Sequence, residues 1–154
     1  MLDKSFNGLQ SKSWGPAFWM TLYSVAANYA SGSAGLTPTI KDRYNAMKFL
    51  EYFGKSLPCA KCRKSFKKNR MRANSYFDHD YNKVFSTRDN FFRFVYILHD
   101  SVTLMVCHKS LPFTLGDAEH TFNNIRAGEC NDTHGCYSGR DKASFRLHLQ
   151  LIEF

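Results

Sequence analysis

The chain has 154 residues, of which 44 % are hydrophobic and 16 % aromatic, enough for one domain with a real core. Its 21 Lys and Arg against 13 Asp and Glu give a net charge of +8. No apolar run approaches the roughly 18 residues that span a bilayer, and the N-terminus lacks the apolar core of a signal peptide. We therefore expect a cytoplasmic protein, in which five cysteines favour catalysis or metal binding over a disulfide framework.

Two amphipathic helices are predicted in the first third of the chain. The first has Ser13 as its cap and Pro16 in its first turn, and runs to about residue 30. The second has Thr37 as its cap and Pro38 as its first residue, and ends near Gly54. Apolar residues at spacings of three and four predict the buried faces, which are Trp19, Leu22, Tyr23, Ala26 and Tyr29 in the first helix and Ile40, Tyr44, Met47, Leu50 and Phe53 in the second.

Cys59 and Cys62, with two residues between them, open a third predicted helix that runs to about residue 70. Pro58 suits its first turn. The helix start directs unpaired N–H groups and partial positive charge at Cys59, and basic residues follow closely, which favours the thiolate that exchanges disulfides. We interpret the pair as redox-active, with half of a zinc site or plain structural cysteines as alternatives.

A basic run occupies the same helix, since seven of the twelve residues 61–72 are Lys or Arg. Such runs are most often a solvated helix face. The alternatives are a nucleic-acid patch and a surface for the phosphates of a nucleotide cofactor.

Residues 71–86 show no clear period and predict a loop with one turn of helix. A fourth helix follows, capped by Ser86 or Thr87, and His99 shares its buried face. The apolar stripe on that face consists of Phe91, Val95, Leu98, Val102 and Val106.

The chain ends in a short fifth helix and a tail. Thr114 or Asp117 caps that helix, and Cys130 and Cys136 flank a turn-like segment after it. Residues 145–151 alternate apolar and polar side chains, which favours a strand or a docked tail. The pattern as a whole predicts a mostly helical single domain.

Three segments of this chain together resemble the Erv/ALR family of FAD-linked sulfhydryl oxidases. They are residues 14–23 (WGPAFWMTLY), 58–66 (PCAKCRKSF) and 98–103 (LHDSVT). The family pattern is W-x-x-L-H on a first helix, C-x-x-C after proline, and H-N-x-V-N on a later helix. The match is similar to the short members carried by large DNA viruses.

The resemblance implies an all-α fold: a four-helix bundle that holds FAD, a short fifth helix, and an irregular or strand-like C-terminal tail. It divides the chain into a flexible N-terminus (1–12), an oxidase domain (13–127) and an extension with a second cysteine pair (128–154). It also implies a homodimer, as is common in the family.

The resemblance further implies an enzyme that forms disulfides in proteins. A substrate dithiol attacks the Cys59–Cys62 disulfide at Cys59, and Cys62 passes electrons to FAD and on to dioxygen, giving hydrogen peroxide. The implied partners are thiol-containing proteins, among them a thioredoxin-like carrier. The implied location is the host cytoplasm or the virion.

Carried over by position, the family's cofactor contacts fall on nine residues of this chain. Tyr23 stands where the family has histidine, and Asp100 and Thr103 stand where it has asparagine. An ionised Asp100 near a pyrophosphate would be unfavourable. The nine residues are Gly15, Trp19, Tyr23, His99, Asp100, Val102, Thr103, Lys109 and Phe122.

The cysteines outside the C-x-x-C depart from the family pattern. A second family disulfide is missing, because the position of its first cysteine is Leu115 here. Cys130 and Cys136 would either staple the tail or shuttle electrons to the C-x-x-C pair, and the staple is preferred. Cys107 is expected to be a buried free thiol, with pairing to Cys130 as the alternative.

Two rival functions use the same residues. A zinc module would take Cys59, Cys62, Cys130 and either Cys136 or His134 as ligands, but the second pair is C-x5-C rather than C-x-x-C. A nucleic-acid-binding protein would use residues 61–72, but no recognisable binding motif accompanies them. We therefore expect neither a metal nor a nucleic-acid partner.

Overall fold

The structure is a computed structural model that describes residues 10–30, 37–125, 129–131 and 135–137. Four long helices form the predicted all-α bundle, and two short helices and one small hairpin accompany them. None of the described helices is long and apolar enough to cross a bilayer. The elements are α1 (Ser11–Ala27), α2 (Ile40–Lys55), α3 (Ala60–Ser75), α4 (Tyr81–Val84), α5 (Arg88–Cys107), α6 (Leu115–Asn124), β1 (Glu129–Asn131) and β2 (Gly135–Tyr137).

Helix α1 begins two residues before its predicted cap. Gln10 is the N-cap and provides no side-chain hydrogen bond, so the prediction of Ser13 as the cap is wrong. Ser13 lies inside the first turn, where its N–H donates to the Gln10 carbonyl at 2.9 Å. The predicted buried face is confirmed, because Trp19, Leu22, Tyr23, Ala26 and Tyr29 are all buried.

Helix α2 begins at a capping box, and its cap lies two residues after the predicted one. Thr39, not Thr37, accepts a hydrogen bond from the Asp42 N–H, and the Asp42 carboxylate accepts one from the Thr39 N–H. This reciprocal pair satisfies two donors that a helix start leaves free. Pro38 consequently lies before the cap and not in the first turn.

The buried face of α2 is also shifted from the prediction. Ala46, Leu50 and Gly54 face the core, whereas three residues of the predicted stripe are exposed: Ile40 at 88 %, Tyr44 at 55 % and Met47 at 39 %. The close approach of α2 to α3 at Gly54 fixes which side of α2 turns inward. Only the C-terminal half of the predicted stripe therefore reaches the core.

Helix α3 runs to Ser75, five residues beyond its predicted end, and the single turn of α4 confirms the helical turn predicted in the following loop. Thr87 caps α5, where its side chain accepts a hydrogen bond from the Asn90 N–H at 3.1 Å. The stripe of α5 is buried through Leu98, but Val106 is 61 % exposed, contrary to the prediction. The four residues of the last turn, 104–107, are all exposed, so Val106 lies beyond the part of α5 that the described helices cover.

The C-terminal part of the described chain confirms α6 and shows a hairpin. Thr114 and Asp117 form a second capping box, so the two predicted caps act together. Strands β1 and β2 pair antiparallel, and their register sets Cys130 directly opposite Cys136. The alternation predicted over residues 145–151 lies outside the described residues.

Candidate active site

A disulfide between Cys59 and Cys62 lies at the start of α3, with the two Cα atoms 5.0 Å apart. Cys59 is the N-cap of α3, and its Sγ accepts a hydrogen bond from the Cys62 N–H at 3.2 Å. This confirms that the pair opens a helix. Pro58 lies one residue before the cap, so its predicted place in the first turn is wrong. The helix start favours negative charge on sulfur, which is the state that exchanges disulfides.

A line of aromatic rings connects the disulfide helix to the centre of the bundle. Cys62 is half-buried and packs against the core, and Phe66 lies one turn further along α3. The ring of Phe18 contacts that of Phe66 edge-on, with centroids 5.8 Å apart, and it also contacts Trp19 at 5.3 Å. Trp19 then stacks on His99 at 4.0 Å.

His99 lies at the centre of a buried cluster contributed by α1 and α5. The interplanar angle of its stack with Trp19 is 20°, and its Nδ1 is 3.3 Å from the Tyr23 hydroxyl. Burial lowers the pKa of His99 from 6.5 to about 3, and burial raises the pKa of Tyr23 well above 10. Both groups are therefore neutral over the physiological pH range, and a single hydrogen bond joins them.

The cluster gathers a fourth predicted site residue from α6. Phe122 is 5 % exposed, and its ring stacks on that of Tyr23 with centroids 5.3 Å apart. Residues from three helices that are far apart in the sequence thus form one aromatic wall. Of the described contacts, none joins exposed Lys109 to this wall.

The other predicted site residues have differing environments. Asp100 is half-buried, and its Oδ1 accepts a hydrogen bond from the Leu111 N–H at 2.8 Å, which anchors the loop after α5. Thr103 is buried, and its Oγ1 has no hydrogen-bond partner among the described residues. Gly15 is buried as well, yet an added Cβ there would meet no heavy atom within 4 Å. Val102 is half-buried beside the core.

The sequence model of the Erv1/Alr family matches residues 16–122 of this chain. The chain belongs to the Erv1/Alr family. An FAD-linked sulfhydryl oxidase of African swine fever virus is 40 % identical to it over 50 residues. That alignment covers 32 % of this chain and 38 % of the viral protein. The resemblance inferred from the three sequence segments is thereby confirmed.

Two aromatic residues of this Erv1/Alr chain contact the predicted site but were missed in the sequence analysis. Phe18 joins Phe66 to Trp19, and the aromatic density around Trp19 was a usable signal for it. The Phe113 ring lies 6.0 Å from that of His99. Phe113 follows α5 in a loop without helical period, so no sequence pattern marked it.

Cys107 corrects one expectation. It is a free thiol, but it is exposed and not buried, because it lies in the uncovered last turn of α5. Among the described side chains, no group of three or more His, Cys, Asp or Glu could hold a metal ion.

Proposed function

We propose that this Erv1/Alr protein is an FAD-dependent sulfhydryl oxidase that forms disulfide bonds in protein substrates. The observation that carries the proposal is the Cys59–Cys62 disulfide at the start of a helix that packs beside the buried Trp19–His99 cluster. The name of the viral relative supports the same activity. The substrates are thiol-containing proteins, among them a thioredoxin-like carrier, in the cytoplasm of an infected cell or in a virion.

The residues around His99 fit a flat, polar-edged cofactor such as FAD. Trp19, Tyr23 and Phe122 form the aromatic wall beside His99, and open space adjoins Gly15. The unpartnered Thr103 Oγ1 is a buried group that a ligand would satisfy. When bound, FAD supplies two-electron chemistry, accepting a pair from a dithiol and giving it to dioxygen as hydrogen peroxide.

The protein's own chemistry is thiol–disulfide exchange. A substrate thiolate attacks Cys59 Sγ, the Cys59–Cys62 bond breaks, and Cys62 leaves as a thiolate. The second substrate thiol then attacks the mixed disulfide, so that the substrate departs oxidised and both cysteines are reduced. The positive end of α3 stabilises the thiolates. Cys62 faces the core, so it is the cysteine we assign to the cofactor side.

Replacement of Cys62 by Ser tests this assignment. We expect Cys62→Ser to abolish oxygen consumption driven by dithiothreitol and to retain the bound flavin, because the aromatic wall is unchanged. Cys107→Ser is the matched control, since it removes an exposed thiol outside the site. Turnover by Cys62→Ser, or its loss of flavin, would contradict the assignment.

Two architectural proposals accompany the activity. The family match over residues 16–122 supports an oxidase domain at 13–127, between an N-terminal segment (1–12) and an extension (128–154). Residues directly opposite in an antiparallel pair have Cα atoms about 4.5–5.5 Å apart, within the range of a disulfide. The register of Cys130 and Cys136 therefore supports a local staple, with electron shuttling as the alternative role.

We also propose a homodimer that uses the outward face of α2. Ile40, Tyr44 and Met47 form an apolar stripe on that face. An open groove of about 550 Å³ lies beside it between α1 and α2, lined in part by Val25, Tyr29 and Phe49. A second copy would cover both features.

A further inference from the structure

Nearly all of the net positive charge of the chain resides on one helix. The whole chain has 21 basic and 13 acidic residues. Seven of the basic residues and none of the acidic ones lie on α3. The rest of the chain therefore has 14 basic and 13 acidic residues and is close to neutral.

Five of these basic side chains are exposed, and within the described part of the chain they make no hydrogen bond, ion pair or ring contact. Two others do have one: Arg63 donates to the Leu57 carbonyl at 2.6 Å, and Arg70 lies over the Tyr81 ring. Lys61, Lys64, Lys68 and Arg72 recur at spacings of three and four, so they line one side of α3. We call these four residues, with the neighbouring Lys67, the α3 basic stripe.

No acidic side chain neutralises this stripe within the described structure. Ion pairs there join Lys48 and Lys55 to Glu51, and Lys83 to Asp78. Like charges three and four residues apart on a helix destabilise it slightly. The stripe thus costs the protein some folding free energy that its own fold does not recover, as expected for a surface that meets a partner.

The stripe begins at the reactive disulfide. Lys61 lies between Cys59 and Cys62, and Arg72 is eleven residues further along α3, about 16 Å at 1.5 Å per residue. A peptide whose thiol reaches Cys59 can therefore place its next several residues along the stripe. Met71 is 60 % exposed beside Lys68 and offers one adaptable apolar contact.

We propose that the α3 basic stripe docks an acidic segment that adjoins the dithiol of the protein substrate, with Met71 receiving one of its apolar side chains. The proposal rests on the proposed oxidase function. Position favours a protein over a nucleic acid, because the stripe starts at a disulfide whose reaction partner must carry thiols. Opposite charge would speed encounter and hold the substrate's thiol near Cys59.

Matched peptides test the proposal with the holoenzyme. Each peptide carries one reduced C-x-x-C, followed by a segment rich in Glu, in Gln or in Lys. We expect kcat/KM for the Glu peptide to exceed that for the Gln peptide by about 10-fold or more at low salt. The preference should vanish at about 1 M salt, where the screening length is about 3 Å.

Charge reversal locates the effect. Lys68→Glu with Arg72→Glu changes the part of the stripe furthest from the disulfide, and we expect it to remove the preference for the Glu peptide. The control variant, Lys12→Glu with Lys41→Glu, makes the same change of charge at two exposed lysines elsewhere and should retain the preference for the Glu peptide. Dithiothreitol is uncharged and too small to span the stripe, so its oxidation reports an intact redox centre in each variant.

The outcomes separate this proposal from the proposed function. If the unaltered holoenzyme oxidises dithiothreitol but treats the three peptides alike, the docking proposal is refuted alone. It is equally refuted if the stripe variant keeps the preference, or if the stripe binds a labelled oligonucleotide while peptide rates ignore charge. If dithiothreitol is not oxidised at all, the oxidase function fails and the docking proposal fails with it.

Discussion

Burial in the bundle controls the protonation of His99. It is 1 % exposed, it stacks on Trp19, and burial holds its pKa near 3. The buried aromatic wall accommodates a neutral imidazole ring, because an imidazolium there would lose its hydration. The Tyr23 hydroxyl, whose own pKa is raised, gives that ring a neutral hydrogen-bond partner.

This depressed pKa predicts a specific loss of stability in acid. In the unfolded chain His99 takes up a proton near pH 6.5, but in the folded chain it does so only near pH 3. The contribution of neutral His99 to the free energy of unfolding is therefore complete above pH 6.5. As the pH is lowered from 6.5 to 3, the free energy of unfolding falls by roughly 1.4 kcal/mol per pH unit. We expect the free energy of unfolding of His99→Phe, measured by urea denaturation, to fall less steeply than that of the unaltered protein as the pH is lowered. Parallel pH profiles for the two proteins would contradict a neutral buried His99.

For single residues, the sequence predicted which side chains carry the chemistry better than it predicted which side chains touch each other. The C-x-x-C spacing and its proline indicated a helix start, and the period of the fourth helix placed His99 inside. The contact of His99 with Tyr23 was not predictable, because it joins residues 76 positions apart on two helices whose packing no local pattern determines.

A tight contact between α2 and α3 helps to position the helix that carries the disulfide. Gly54 packs so tightly that an added Cβ would overlap the Cδ1 and Cε1 atoms of the Phe66 ring. Phe66 is one turn after Cys62, so this contact fixes the position of the reactive end of α3. A residue without a side chain at Gly54 is therefore required by packing and not by backbone conformation.

Gly54→Ala should accordingly destabilise the fold despite the higher helix propensity of alanine. We expect a loss of about 1–3 kcal/mol, the usual cost of overpacking a filled site. Gly116→Ala in α6 is the matched control, since its nearest neighbour would be Thr114 Oγ1 at 3.7 Å. Alanine there should leave stability unchanged or raise it by up to about 1 kcal/mol. Equal effects in thermal unfolding would refute the tight approach.

The sequence predicted that the long helices exist more accurately than it predicted the residues at which they begin and end. Periodicity identified α1, α2 and α5, because each buries one apolar face, whereas α3 was predicted from the cysteine pair and Pro58 at its start. Thr37 and Thr39 are chemically equivalent caps, and only the placement of Asp42 three residues after Thr39 selects between them. The exposure of Ile40 could not be predicted, since the stripe of α2 to which it belongs is as apolar as a buried helix face.

For the whole molecule, the outward stripe of α2 predicts the oligomeric state. Tyr44→Glu with Met47→Glu would place two charges in the proposed dimer interface, so we expect analytical ultracentrifugation to show monomers. Tyr76→Glu changes an equally exposed tyrosine at the end of α3 and should leave the dimer intact. An unaltered chain that sediments as a monomer would contradict the proposed homodimer.

The proposed oxidase function is tested most directly by the visible absorption spectrum of the purified protein, recorded without oxygen before and after addition of dithiothreitol. For an FAD-dependent sulfhydryl oxidase, we expect the absorption band of bound flavin to bleach when the dithiol is added and to return when air is admitted. A protein that stays colourless after refolding with FAD, or a flavin band that the dithiol leaves unchanged, would contradict the proposed oxidase function.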